Sequence, residues 1–162
     1  MALDYSTGMS SSGVGDDILQ QAGALERLAQ RLLIAEQSAF QREVSRFNLT
    51  VPQYVTLAAI EGFAGSKERM GRIAQTAHQC SATMTGIIDR LEAMGLVKRD
   101  NNPQDRRSVL VELTDAGRAK IEEVRAARRQ RLASLLVGIE PDMRMRFYEV
   151  LQRYADALEA GM

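Results

Sequence analysis

The chain is poor in the residues that build reactive sites and disulfide frameworks. It has one cysteine, Cys80, and one histidine, His78, among 162 residues. A single cysteine excludes an intramolecular disulfide and is typical of proteins of the reducing cytoplasm. A zinc site takes four ligands, or three and a water, and a hydrolytic triad needs a nucleophile beside a histidine and an acid. We therefore expect no metal, no cofactor and no enzymatic activity, with a cofactor-free enzyme built on Cys80 or His78 as the alternative.

Tryptophan is absent, and aromatic residues make up 5% of the chain, too few for a platform that stacks single-stranded nucleic acid. The 21 basic and 21 acidic side chains cancel, so only local clusters of charge can indicate a polyanionic partner. No apolar run is long enough to span a bilayer, and the opening Met-Ala-Leu-Asp does not resemble a secretory signal. These absences predict a cytoplasmic protein without a membrane partner.

The first helical pattern follows a tail rich in serine and glycine. Residues 1–15 offer little to bury, so we expect a disordered tail there. From Asp16 to about Phe47, apolar residues recur at helical spacing with polar residues between them. The pattern predicts one long amphipathic helix in the segment 16–49. Its apolar positions are Ile18, Ala22, Leu25, Ala29, Leu32, Ala39, Phe40, Val44 and Phe47.

Three shorter helices are predicted next. Thr50 followed by Pro52 indicates a helix start, and glycines about ten residues later end that helix. A third helix is expected over residues 70–77. After a polar turn, Ser81 can cap a fourth helix, which Gly95 ends. The apolar face of this fourth helix consists of Met84, Ile87, Ile88, Leu91 and Met94.

A small β-hairpin follows the fourth helix. Residues 96–100 and 108–113 are predicted strands, and the polar loop between them is cationic at its tip. A helix followed at once by a basic hairpin can contact two grooves of a DNA duplex. We therefore predict a mainly α fold with a small β-hairpin, in which residues 50–114 form a winged helix-turn-helix.

Two more amphipathic helices close the chain. Thr114 can cap the first, which continues to Gly138, and Pro141 can open the second. Folding alone, three long amphipathic helices would leave apolar stripes partly uncovered, and a second copy about a two-fold axis would cover them. We expect segments 16–49 and 115–162 to be dimerisation helices, with an intramolecular bundle as the alternative.

The fourth helix and the hairpin also resemble a known family. Their sequences are Thr-Met-Thr-Gly-Ile-Ile-Asp-Arg-Leu-Glu-Ala-Met-Gly-Leu-Val-Lys-Arg at 83–99 and Asp-Arg-Arg-Ser-Val-Leu-Val-Glu-Leu-Thr-Asp-Ala-Gly-Arg at 105–118. In residues and spacing they resemble the signature of the MarR family of bacterial transcriptional regulators. The resemblance implies an obligate homodimer on a pseudo-palindromic operator in double-stranded DNA, acting as a repressor. It also implies release by a small aromatic or phenolic ligand or by oxidation.

The start of the fourth helix holds the first candidate DNA contacts. If the helix enters the major groove by its N-terminus, the residues nearest to base edges and phosphates are Ser81, Ala82, Thr83, Thr85 and Gly86. Hydroxyl groups and the free amides of a helix N-terminus bind phosphate. Gly86 departs from the family pattern, in which a long, often basic residue is common, and this weakens direct base reading. A capping role alone is the alternative for Ser81 and Thr83.

The hairpin tip holds the second set. Arg106 and Arg107 are candidates for insertion into a narrow, A·T-rich minor groove, whose negative potential attracts guanidinium groups. Asp105 is expected to orient these arginines. The alternatives are a solvated turn and a module that uses its hairpin to bind protein partners.

Other charged residues flank these candidates. We expect Arg90, Lys98 and Arg99 to contact phosphates or form ion pairs, with Asp89 as an internal partner. A later basic cluster is expected to be a solvated helix face rather than a second DNA site. Its members are Arg125, Arg128, Arg129 and Arg131.

Cys80 lies at the start of the fourth helix, where the helix dipole favours a thiolate. Its oxidation would then disturb DNA docking, and the alternative is a small, partly buried residue without a redox role. A pocket for an aromatic effector is expected between the dimer helices and the DNA-binding module. Phe40, Phe47, Tyr54 and Phe63 could line it but are expected to be core residues, so no ligand residue is assigned.

Overall fold

The computed structural model describes residues 11–63, 67–102, 105 and 108–161, with side chains from residue 15 onward. These residues form a mainly helical fold with a small sheet, and the predicted fold class is confirmed. No described helix has the length and apolar character needed to cross a membrane. The elements are α1 (Ser11–Arg46), α2 (Val51–Glu61), β1 (Glu68–Arg69), α3 (Met70–Thr76), α4 (Ser81–Ala93), β2 (Val97–Asn101), β3 (Val109–Leu113), α5 (Asp115–Leu136) and α6 (Pro141–Ala160).

Helix α1 begins at Ser11, five residues before the predicted start at Asp16. The expectation of a disordered tail is therefore wrong for residues 11–15, whereas residues 1–10 lie outside the described part of the chain. A helix that has already formed gains one hydrogen bond for each further residue that it fixes. This lets a segment that contains glycine join the helix.

The chain divides into two compact units, Met1–Arg42 and Glu43–Met162. The division lies within α1 and differs from the expected boundaries after residues 49 and 114. The first unit, where described, is the amphipathic part of α1, and most of its leucine and isoleucine side chains are about half exposed or more. The second unit contains the remaining elements, and it also contains the fully buried core.

Helices α2, α3 and α4 surround the core of the second unit. The side chain of Thr50 accepts a hydrogen bond from the amide of Gln53, and the Gln53 side chain accepts one from the amide of Thr50 at 2.8 Å. This reciprocal cap fixes the start of α2, as the sequence predicted. Met94 ends α4 and is 40% exposed, so its predicted place on the apolar face is wrong. The fully buried residues include Leu57, Ile60, Ile73, Met84, Ile88, Leu91, Val111, Ile121 and Val124.

The sheet has three antiparallel strands in the order β1-β3-β2. The predicted hairpin is present, with Val97 opposite Leu113 at its base and Asn101 opposite Val109 toward its tip. Strand β1 was not predicted, because two residues are too short to show an alternating pattern. It pairs with β3 and connects the segment before α3 to the hairpin.

The base of the hairpin is fastened to the start of α5. The Thr114 amide donates to the Leu96 carbonyl at 3.1 Å, and the Thr114 hydroxyl donates to the Gly95 carbonyl at 2.7 Å. The same hydroxyl oxygen accepts from the amide of Gly117 at 3.0 Å and caps α5. A Cβ atom on Gly117 would lie 2.1 Å from the Leu96 carbonyl oxygen, so only glycine permits this approach.

We predict that Gly117→Ala lowers the free energy of unfolding by about 1–3 kcal/mol, because backbone must move to admit the new methyl group. Gly86→Ala, in α4, is the matched control, since a Cβ there meets no described atom within 4 Å apart from its chain neighbours and the backbone of its own helix. This second change should raise the free energy of unfolding by about 0.5–1 kcal/mol. Urea denaturation measures both. Equal effects of the two substitutions would contradict the close approach at Gly117.

Candidate nucleic-acid interface

Helix α4 has one buried face and one exposed face. Met84, Ile87, Ile88 and Leu91 are buried, as the sequence predicted. The five candidate contact residues at the start of the helix are all exposed. They are Ser81, Ala82, Thr83, Thr85 and Gly86. The buried face therefore holds the helix against the core while its N-terminal polar face points to solvent.

A tight turn connects α3 to α4. His78 adopts a φ of 52°, in the left-handed region that non-glycine residues rarely occupy. The turn is closed by hydrogen bonds from the Gln79 amide to the Ala74 carbonyl and from the Ala77 amide to the Ile73 carbonyl, both 2.9 Å long. The single histidine of the chain is thus an exposed turn residue.

The first turn of α4 differs from the predicted cap. The N-cap residue is Cys80, which makes no side-chain capping bond, and Ser81 is already the first helical residue. The expectation that Ser81 caps the helix is therefore wrong, because the helix begins one residue earlier than the serine signal indicates. Thr85 donates to the Ser81 carbonyl at 3.3 Å instead of pointing away from the helix.

Cys80 is exposed, and its sulfur lies 3.0 Å from the hydroxyl oxygen of Thr83. The Thr83 hydroxyl and, to a smaller degree, the polar backbone amides at the helix start hold the pKa of the Cys80 thiol below its usual value. The thiol is therefore open to solvent and biased toward the thiolate form.

The basic residues of β2 are paired with carboxylates. Lys98 Nζ lies 3.0 Å from Glu112 Oε1 on the neighbouring strand. Arg99 forms an ion pair with Asp89 and approaches Glu92 Oε2 at 3.4 Å, both on α4. Asp89 is thus an internal partner, as predicted, and Arg99 joins the hairpin to α4.

Lys67, just before β1, also contacts the hairpin. It forms an ion pair with Asp100 and lies 3.7 Å from Glu112. Sequence reasoning missed Lys67, because no local pattern shows that residues so far apart in the chain are neighbours. By contrast, Arg90 is exposed and makes no ion pair within the described part of the chain.

Hydrogen bonds join the described residues of the hairpin loop. The amide of Ser108 donates to the Asp105 carbonyl at 3.0 Å, and the buried Asn102 donates its side-chain amide to the Ser108 hydroxyl at 2.7 Å. The side chain of Asp105 is exposed. Arg106 and Arg107, the predicted groove contacts, lie outside the described residues.

The later basic cluster is not simply a solvated face. Arg125 pairs with Glu61 at the end of α2, and Arg131 pairs with Glu43 in the last turns of α1. The expectation for these two arginines is therefore wrong. Their partners are 64 and 88 residues away, a distance over which sequence patterns carry no signal.

Comparison with known proteins identifies the family. A family model described as "Transcriptional regulator SarA/Rot" matches residues 38–124. The transcriptional repressor NicR of Pseudomonas putida is 34% identical over 122 residues, which cover 75% of this chain and 73% of that protein. The chain belongs to the SarA/Rot family of transcriptional regulators.

Solved structures show the same fold. A MarR family protein from Bacillus stearothermophilus superposes with a TM-score of 0.73 at 22% identity, covering 86% of this chain and 96% of that one. A mutant of MepR from S. aureus, bound to an oligodeoxyribonucleotide, gives a TM-score of 0.68 at 16% identity, covering 83% and 97%. The family resemblance that the sequence predicted is confirmed.

We predict that Thr83→Ala raises the pKa of the Cys80 thiol toward its ordinary value, because the thiolate loses its hydroxyl donor. The rate of alkylation by iodoacetamide, followed from pH 6 to 10, should show a midpoint that moves to higher pH. Thr85→Ala is the matched control, since the Thr85 hydroxyl bonds to the Ser81 carbonyl and to the Met70 sulfur rather than to Cys80. The same midpoint in wild type and Thr83→Ala would show that the contact has no effect on the thiol.

Proposed function

We propose that the chain is a cytoplasmic homodimeric repressor that binds a pseudo-palindromic operator in double-stranded DNA. The observation that carries this proposal is the exposed, hydroxyl-bearing start of α4 beside the β2–β3 hairpin, which we call the wing, in a member of a family of transcriptional regulators. Helix α4 enters the major groove N-terminus first, and the wing reaches the neighbouring minor groove. The names of NicR, a repressor, and of the DNA-bound MepR structure support the same role.

The contacts divide into three kinds. At the start of α4, hydroxyl groups and free amides bind phosphates and base edges through Ser81, Ala82, Thr83, Thr85 and Gly86. Arg90, an exposed cation on the same helix, contacts a phosphate. At the wing tip, Arg106 and Arg107 enter the minor groove, and Asp105 orients them.

The dimer is proposed because apolar side chains are uncovered in the single chain. Every described residue from 141 to 161 is exposed. The large apolar residues of α6 are 42–64% exposed, and similar residues of α1 are equally uncovered. Apolar stripes of this extent are normally buried against a partner, and a two-fold axis lets the same helices cover one another. The α6 residues concerned are Phe147, Tyr148, Val150, Leu151, Tyr154 and Leu158.

Release from DNA is proposed to follow binding of a small aromatic or phenolic ligand. A second candidate is release by oxidation of Cys80 at the start of α4. The exposure of this thiol and its lowered pKa favour oxidation. Two aromatic residues that could line a ligand pocket already have partners. The Arg72 guanidinium lies 5.0 Å from the centre of the Phe63 ring, and Lys120 lies 5.9 Å from that of Phe47.

Selection of bound fragments from the source genome, combined with sedimentation of the protein, tests the proposed function. We expect a dimer in solution and fragments with two half-sites about 34 Å apart, one helical turn. Capture of no DNA by a folded dimer would instead indicate a module that binds protein partners.

We predict that Arg107→Ala lowers affinity for the selected operator by about 1–3 kcal/mol and reduces the slope of log affinity against log salt by about one. The slope falls because one fewer phosphate counterion is released when the wing binds. Titration by fluorescence anisotropy at several salt concentrations measures both quantities. An unchanged slope and affinity would remove the wing from the interface.

We predict that removing Asp89 and Glu92 together, as Asp89→Ala with Glu92→Ala, weakens operator binding about three- to thirtyfold. The change makes the surface more positive, which by itself would favour DNA. However, it also removes both ion-pair partners of Arg99, and with them the contact that holds the wing against α4. Asp115→Ala is the control, because it removes an exposed carboxylate whose described ion pair is with Arg118. Tighter binding by the double variant would contradict this prediction. It would mean that Arg99 contacts a phosphate once Asp89 and Glu92 no longer pair with it.

A further inference from the structure

Two arginines of α5 fasten this helix to the segments before it. We infer that the pair between Arg125 and Glu61 makes these two residues positioning residues, which set the half-site spacing that the protein accepts. The inference rests on the proposed binding of a dimer to two half-sites. It concerns the connection, through α5, between the residues proposed to contact DNA and the surface proposed to bind the second copy.

The contact between Arg125 and Glu61 uses both nitrogens and both oxygens. Arg125 Nη1 donates to Glu61 Oε1 at 3.2 Å, and Nη2 donates to Glu61 Oε2 at 2.5 Å. Paired bonds of this kind fix the relative orientation of two groups as well as their distance. Glu122, one turn earlier on α5, also accepts from Arg125 Nη1, at 2.8 Å, and so helps to hold the guanidinium in place.

A second ion pair lies farther along α5. Arg131 Nε donates to Glu43 Oε1 at 2.9 Å, and Glu43 is only 5% exposed. The other carboxylate oxygen, Oε2, is buried without a hydrogen-bond partner in the described structure. Because a buried carboxylate that loses its partner is costly, this pair resists separation of α5 from the end of α1.

The same helix leaves the core between these two ion pairs. Ile121 and Val124 are fully buried, whereas Leu132 and Leu135 are 41% and 63% exposed. The N-terminal half of α5 therefore belongs to the module that carries α4 and the wing. Its C-terminal half continues into the apolar surface proposed to meet the second copy.

The length of α5 turns a small change of angle into a large displacement. The 11 residues of α5 beyond Arg125 extend over about 17 Å at the usual helical rise. A rotation of about 10° at Arg125 would move the C-terminal end of α5 by about 3 Å. One base pair advances about 3.4 Å along the duplex. A small change in the angle that the ion pair holds is thus comparable with a change of half-site spacing by one base pair.

The test compares operators of three spacings: the selected one, and versions with one base pair inserted or deleted between the half-sites. Wild type should bind the altered spacings at least about tenfold more weakly than the selected one. For Arg125→Ala, the difference in affinity between the selected and the altered spacings should shrink to about threefold or less. Exchanging the charges, Glu61→Arg with Arg125→Glu, should restore part of the preference.

Arg129→Ala is the matched control. Arg129 lies one turn beyond Arg125 and contacts Glu122 at 3.5 Å without reaching α2, so its removal should leave the spacing preference as in wild type. If Arg125→Ala does not fold, Glu61→Gln gives the same comparison, because it keeps the shape of the side chain and removes its charge.

The outcomes separate this inference from the proposed function. If folded wild type binds no operator with two half-sites, the proposed function is wrong, and the inference fails with it. If wild type discriminates between spacings and Arg125→Ala discriminates equally, the proposed function stands and the inference is overturned. A uniform loss of affinity at all three spacings would also overturn it.

Discussion

The structure depends on one close approach, between the backbone of Gly117 and the carbonyl of Leu96. Three elements meet there: the end of α4, the first strand of the wing and the start of α5. Thr114 ties all three together, because its amide and hydroxyl donate to the Leu96 and Gly95 carbonyls while its oxygen caps α5. A side chain at position 117 would separate them, since its Cβ would overlap the Leu96 carbonyl. The end of α4, the hairpin and the start of α5 are therefore held against one another at this point.

The equal numbers of acidic and basic residues have a structural explanation. Several carboxylates hold basic side chains in place: Glu112 contacts Lys98, Asp89 contacts Arg99, and Glu61 contacts Arg125. Pairs that are partly open to solvent, as these are, add little stability, but they hold the basic side chains in fixed positions. A zero net charge is thus compatible with binding a polyanion, because the acidic residues neutralise the internal cations and leave Arg90 exposed without an ion pair in the described structure.

Local patterns predicted most of the fold. The apolar face of α4 and the two strands of the wing follow from periodicity, and the starts of α2 and α5 follow from Thr50 and Thr114. What the patterns missed depends on long-range contacts or on very short elements. The two-residue strand β1 shows no alternation, and the partners of Arg125 and Arg131 lie 64 and 88 residues away. At the interface, residue types identified the exposed start of α4. They did not show that Arg99 faces α4 or that Cys80 takes the N-cap position.

Gly86 connects the local chemistry of α4 with the geometry of the whole chain. Inside a helix, glycine costs about 1 kcal/mol relative to alanine. Apart from its chain neighbours and the backbone of its own helix, no described atom lies within 4 Å of where its Cβ would be, so packing gives no reason for it. If α4 binds DNA as proposed, the absence of a side chain lets the DNA backbone approach the helix closely, but it also removes one group that could read a base. Under the proposed function, discrimination must then come from elsewhere. The wing can sense groove width, and a rigid α5 can sense the separation of half-sites. Under the same proposal, both also depend on the close approach at Gly117, which holds the end of α4 against the hairpin and the start of α5.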